Sequence, residues 1–270
     1  MDISKRLNNR REERLMMKHR LWDNIPESVK CASPKKKWEY FWEYYKLHMI
    51  VAAFVLLFVG SLLYRGLTGK ETWLNGFFLN SISQKTAIEA LKDDFIESAA
   101  IDGEKYELHF DANMVYSLDL ASADYSSQYE TSQALVTQTA AKDLDFVIGD
   151  LPVMTVIAYS DYFLDLSTVL SAEEMEVYQK DLLYIDKAVL EELLSATSTE
   201  KEEGMIQIAD CREPEGMMQP VPVMLDISVW ETVKEIYGQT TEPMVLGCIV
   251  NSENVESVRK LINYLKGTVE

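Results

Sequence analysis

Between Leu47 and Tyr64 the chain carries eighteen residues whose only ionisable member is His48. At 1.5 Å rise per residue a helix of that length covers about 27 Å, close to the ~30 Å hydrocarbon thickness of a bilayer. Six of the eight residues 38–45 are aromatic (Trp38, Tyr40, Phe41, Trp42, Tyr44 and Tyr45), and Lys35, Lys36 and Lys37 stand just before them. Amphipathic rings favour the headgroup layer and lysines the aqueous side of it. The segment thus reads as one membrane-spanning helix with an interfacial belt, in which Lys35, Lys36, Lys37, Trp38, Trp42, Tyr44 and Tyr45 are the membrane-interface residues. Ser33 and Pro34 suit an N-cap and a first helical position.

Charge sets the direction. Twelve Lys/Arg precede the span, whereas between Arg65 and Gln84 only Arg65 and Lys70 are basic. Flanking Lys and Arg are retained on the cytoplasmic side, which predicts the amino terminus inside and the remainder outside. A cleaved signal peptide is the competing reading; the 46 residues before the apolar run are too many, and Ser61 to Arg65 offers no small-x-small cleavage site. The expected organisation is a basic cytoplasmic tail over 1–33, an interfacial and transmembrane helix over 34–65, a connector over 66–72 and an extracytoplasmic domain over 73–270. The expected location is the cell membrane, single-pass.

The formal charge of −18 conceals a split: residues 1–65 hold 13 basic and 7 acidic groups, residues 66–270 hold 13 basic and 37 acidic, net −24. Such an acidic outer domain argues against nucleic acid as a partner. Fourteen tyrosines, five tryptophans and 47% hydrophobic residues are the composition of a folded domain. Of three cysteines, Cys31 falls inside, while Cys211 and Cys248 share the outer compartment, where one disulfide or two free thiols are both open.

Patterning of the outer domain alternates strand and helix, which predicts an α/β fold. Strands are expected at 73–79, 106–110, 144–150, 205–209 and 244–250. Helices are expected at 84–98, 126–144 (with Tyr129, Ala134, Leu135 and Ala141 inward), 152–159, from a capping box at Ser171 onward, 187–194, within 225–237, and at 252–266. The stretch after Ser171 reads as a long helix broken near Tyr184 to Asp186. Pro214, Pro220 and Pro222 make the segment around them extended and turn-rich.

Catalytic patterns are scarce. His109 is the sole histidine after residue 48 and lies inside a strand pattern, so Ser/His and Cys/His schemes and His-based metal sites do not assemble. Paired acids such as Asp93–Asp94 and Glu173–Glu174 lack calcium-loop spacing and suit solvated helix faces. No cofactor, no metal and no enzymatic activity are expected. Asp150 ends a buried-looking strand, where open α/β sheets collect ligands, although it equally suits a helix cap. Asp226 and Trp230 flank a loop-to-helix junction and are candidates for ligand contact, or for a cap and a packed indole.

Several segments together resemble the extracellular solute-binding proteins of the type II periplasmic-binding fold. Asp143 to Asp150 resembles the family's central strand. Tyr162 to Ser167 resembles a segment ending in Asp-Leu-Ser, with Asp161 near the place of the usual glycine. Leu246 to Ser252 with Val255 to Leu265 resembles its closing strand and helix, Val258 standing where alanine is common and Ile262 where phenylalanine is. The match covers roughly 143–170 and 205–266. The segment from Lys35 to Lys46 resembles that of single-pass membrane proteins of clostridial-type Firmicutes with such outer domains. The resemblance implies a periplasmic-binding-protein-like α/β domain, one lobe reduced because about 200 residues is short for two. It also implies a binding module for a small solute or peptide, which could present its ligand to a membrane-protein partner. An envelope-assembly protein using the same domain as an interaction surface is the alternative.

Overall fold

The computed structural model describes residues 33–118, 125–196, 208–238 and 240–267, the side chains at 37, 40, 41, 44, 62–68 and 125 excepted. The chain divides into two units, Met1–Gly69 and Lys70–Glu270. In the first, α1 (Pro34–Thr68) is one helix of 35 residues. Its apolar side chains Phe54, Leu56, Leu57 and Phe58 are exposed. Among the described residues no helix is long and apolar enough to cross a membrane. The expected span runs to Tyr64, so its last three side chains lie outside those described.

The second unit is built on β1 (Glu71–Phe78), α2 (Lys85–Ser98), β2 (Tyr106–Asp111), α3 (Tyr125–Ala141), β3 (Phe146–Asp150), α4 (Leu151–Ala158), α5 (Ala172–Tyr178), β4 (Leu182–Asp186), α6 (Lys187–Ser195), β5 (Pro220–Asp226), α7 (Glu231–Tyr237), β6 (Met244–Cys248) and α8 (Val255–Lys266). The strands form one mixed sheet in the order β2-β1-β3-β6-β5-β4. β1 runs parallel to β2 and β3, whereas β6 runs antiparallel between β3 and β5. All strands of the described residues lie in this sheet, so a second, sheet-bearing lobe is not found among them.

Both faces of the sheet are covered, as near-continuous apolar strands require. On one face Phe78, Phe110, Phe146, Leu225, Leu246 and Cys248 meet α2 and α8. On the other, Phe77, Val147, Met224 and Val245 meet Leu135 of α3, α4, Leu190 of α6 and Cys211. Cys211 and Cys248 thus belong to cores on opposite faces, and both are free. Glycine is required at position 76, in register with Phe146, because a Cβ there would come within 2.1 Å of that ring.

Two sequence expectations are corrected, and a third is made more specific. The break in the long helix is a full edge strand, β4, since Leu182, Leu183 and Ile185 bury against β5. The inward residues of α3 are Thr131, Leu135 and Thr139; Tyr129 is exposed, and only Leu135 of the expected set is buried. The proline-rich segment supplies an inner strand, β5. Its pairing with β4 is irregular between Leu183 and Tyr184, where Pro222 has no N–H to give, and the Tyr184 amide donates to the Cys211 carbonyl at 2.8 Å. The expected strand at 205–209 falls mostly outside the described residues.

Candidate functional site

The register brings Asp150 and Asp226 to the same end of the sheet, either side of the start of β6: Asp150 pairs with Met244 and Asp226 with Val245. Each is spent on closing the fold there. One Asp150 oxygen caps α4 by accepting from the Val153 amide at 3.2 Å. The other accepts from Asn80 Nδ2 at 3.0 Å. Asn80 also donates to the Tyr116 carbonyl at 2.8 Å and accepts from the Tyr116 amide at 2.9 Å, so three segments are held by one side chain. Asn80 adopts φ 56° to do so, a conformation that asparagine tolerates better than most residues.

Asp226 accepts from the Ser228 amide and hydroxyl at 3.1 and 2.6 Å, and its second oxygen takes Arg212 at 3.0 Å. Trp230 is buried, with its indole N–H on Asp181 at 3.1 Å and its ring 5.7 Å from that of Tyr178. Of the expected membrane-interface residues, Lys35, Lys36, Trp38, Trp42 and Tyr45 are exposed on α1, while Lys37 and Tyr44 lie outside the described side chains.

A groove of about 630 Å³ opens on the first face, between the end of α2 and α5, with α8 beneath. Its formation follows from α8, whose Val258, Leu261, Ile262 and Leu265 point into the core. The adjoining stripe of Arg259, Lys260, Asn263 and Tyr264 is thereby turned into the groove. Phe95, Tyr178 and Tyr264 give it an aromatic floor. Trp230 stands behind Tyr178 and so supports the groove without lining it.

Glu174 organises one wall. Ser171 and Glu174 form the expected capping box of α5. The Glu174 carboxylate also accepts from Arg259 Nε at 3.0 Å and Asn263 Nδ2 at 2.8 Å, and Tyr178 donates its hydroxyl to Asn263 Oδ1. Burial alone would raise the Glu174 pKa; the hydrogen bonds from Asn263, Ser171 and Arg259 outweigh it and bring the group down to about 2. Lys260 makes no ion pair among the described residues, and its ammonium lies 5.7 Å from the Trp73 ring centroid. Glu173, at the same rim, makes no ion pair among them either.

This wall was only half legible in the sequence. The capping box marked Ser171 and Glu174, but joining them to Arg259 and Asn263 needed the packing of α8 against α5. The i, i+4 spacing of Arg259 and Asn263 beside the apolar stripe was the available signal.

Arg259, Lys260, Glu173, Glu174 and Asn263 give the groove charged and polar groups beside its aromatic rings. His109 lies on β2, paired with Glu107 at 3.0 Å. Burial pushes the Cys211 thiol up, and the Cys248 thiol up to about 12, far from a reactive thiolate. Among the described residues no group of acids, histidines and cysteines could hold a metal ion.

No protein-family model matches the chain, and no curated protein does. Among solved structures, it is similar to a chain described as the substrate binding domain of a molybdenum ABC transporter from Clostridium difficile. The identity is 13%, the TM-score 0.32, and the similarity covers 73% of this chain and 93% of that one. A likeness that slight transfers neither ligand nor mechanism.

Proposed function

We propose that this protein is a non-catalytic, membrane-anchored binding module whose outer domain receives a small solute or peptide in the groove between α2, α5 and α8. The groove is the observation that carries the reading: its volume of about 630 Å³ falls in the ~300–1,000 Å³ range of small-molecule sites. Its aromatic floor offers apolar contact, and Lys260 and Glu173 stand at its rim without ion-pair partners among the described residues. One cation and one anion beside aromatic rings suit a ligand carrying both signs of charge and an apolar part. The strongly acidic domain around it disfavours a simple anion.

Anchoring rests on the sequence: the eighteen-residue apolar run, its aromatic belt and the basic flank, with the amino terminus cytoplasmic. Protease added to intact cells should remove the outer domain; protection would overturn the orientation.

Thermal unfolding of the full chain in mild detergent, against a library of sugars, amino acids, peptides and anions, tests the binding reading. A ligand present at 100 times its dissociation constant adds about 2.7 kcal/mol, a rise of roughly 5–11 °C for a domain of this size. Lys260→Ala should diminish that rise while leaving the ligand-free midpoint within a degree or two. A flat response across the library would overturn solute binding and favour the envelope-assembly alternative.

A further inference from the structure

We propose that the free edge of β2 is a self-association surface, on which a second copy of this chain adds its own β2 antiparallel and joins two six-stranded sheets. β2 ends the sheet and pairs with β1 alone among the described residues. A cavity of about 400 Å³ accompanies it, lined by Leu108 to Asn113 and by Lys85, Glu89 and Lys92 of α2.

Two identical strands meeting antiparallel are related by a two-fold axis normal to the sheet, so opposed side chains share a face and the register centres on a residue. Centred on Leu108, the sequence of β2 and the residue before it is self-complementary. Lys105 opposes the partner's Asp111, Tyr106 the partner's Phe110, Glu107 the partner's His109, and Leu108 its own copy. Opposite charges and paired aromatics directly across an antiparallel pair are the stabilising combinations.

Neighbouring registers fail. Centred on Glu107, that glutamate meets itself; centred on His109, Glu107 meets Asp111. The side chains of Glu107 and His109 are 44% and 51% exposed and already lie 3.0 Å apart within one strand. Two-fold pairing would extend that contact into a ladder of four. Charge on an edge strand commonly guards against pairing; here Lys105 would face the partner's Asp111, and Glu107 would face the partner's His109, whose ring can donate a hydrogen bond to it. The net negative charge of the domain opposes association, but at 0.15 M salt screening acts beyond about 8 Å and spares pairs in contact.

Sedimentation velocity of the full chain in mild detergent at that salt, over a concentration series, tests this. The wild type should dimerise. His109→Glu, which sets two glutamates against each other at both ends of the ladder, should weaken the dimer roughly tenfold or more. The double swap Glu107→Lys/His109→Glu should restore it, since a lysine then opposes each glutamate. A monomer at every concentration overturns the proposal. So does a dimer that His109→Glu leaves unchanged, as one held through α1 would be, and so does failure of the double swap to restore association.

Discussion

Replacing Glu174 by Gln keeps the side chain's size and removes its charge at the point where the groove wall is tied together. The carboxylate accepts from Arg259, Asn263 and the Ser171 amide; an amide can offer only one oxygen and sets its own N–H groups against donors. Its pKa falls from 4.5 in the free side chain to about 2 in the fold, a difference that converts to roughly 3 kcal/mol. Partial exposure and solvent screening bring the expectation to about 2 kcal/mol. The sign is that of a carboxylate whose folded pKa lies below its unfolded value. The stabilisation is complete above the unfolded pKa and disappears as pH falls from about 5 toward 2. Urea unfolding followed by tryptophan fluorescence at pH 7, 4 and 3 measures it. Glu174→Gln should lose about 2 kcal/mol at pH 7 and converge on the wild type in acid. A loss under about 0.5 kcal/mol at pH 7, or one that does not change with pH, would refute this account of the wall.

Asp145 is fully buried and accepts from the Asn75 amide, the Ser252 hydroxyl and Asn254 Nδ2. Asp145→Ala strands those donors and should cost roughly 3–5 kcal/mol in chemical denaturation. Gly76→Ala drives a methyl group into the Phe146 ring and should cost about 1–3 kcal/mol or more; a midpoint equal to the wild type's would show that the strands can part without penalty. Asp150→Ala removes a helix cap and the anchor of Asn80, so about 1 kcal/mol of stability should go while any ligand of the groove still binds. Lost binding with full stability would instead restore Asp150 as a ligand residue. Non-reducing mass spectrometry of the unfolded, alkylated chain should find Cys211 and Cys248 both modified.

The sequence was a good guide wherever one element carries its own signal. The period of Ile88, Leu91 and Phe95 marked α2, that of Val258, Leu261, Ile262 and Leu265 marked α8, and the apolar run ending in Gly149 and Asp150 marked β3. It misled where tertiary pairing overrides local pattern. The sequence around Tyr184 to Asp186 reads as a break in a helix until β5 stands beside it, and the proline-rich stretch reads only as extended until its pairing with β6 and β4 makes it an inner strand. Thr131 and Thr139 are buried on α3 although their type suggests the surface, and no periodicity of apolar residues could have placed them. Of the candidate site, Asp150, Asp226 and Trp230 were found at meaningful junctions, but each was equally a capping or packing residue. The groove depends on three helices far apart in sequence, which no local pattern joins.

The placement of β6 has a consequence for how the protein is made. Among the described residues this strand, completed only at Cys248, is the one strand that pairs with both β3 and β5, and so joins the β2-β1-β3 and β5-β4 halves of the sheet. A ribosome supplies residues from the amino terminus at about 5–20 per second, so everything before Met244 emerges as two half-sheets with open edges. Folding of the domain from Lys70 onward is therefore a late event, after nearly all of it has been synthesised. A chain stopped at Pro243 should be degraded by proteases that spare the full-length protein, and its survival would show that the halves hold together without their keystone. Cells producing this domain face their greatest aggregation hazard in that interval, when the edges that β6 will cover are still bare.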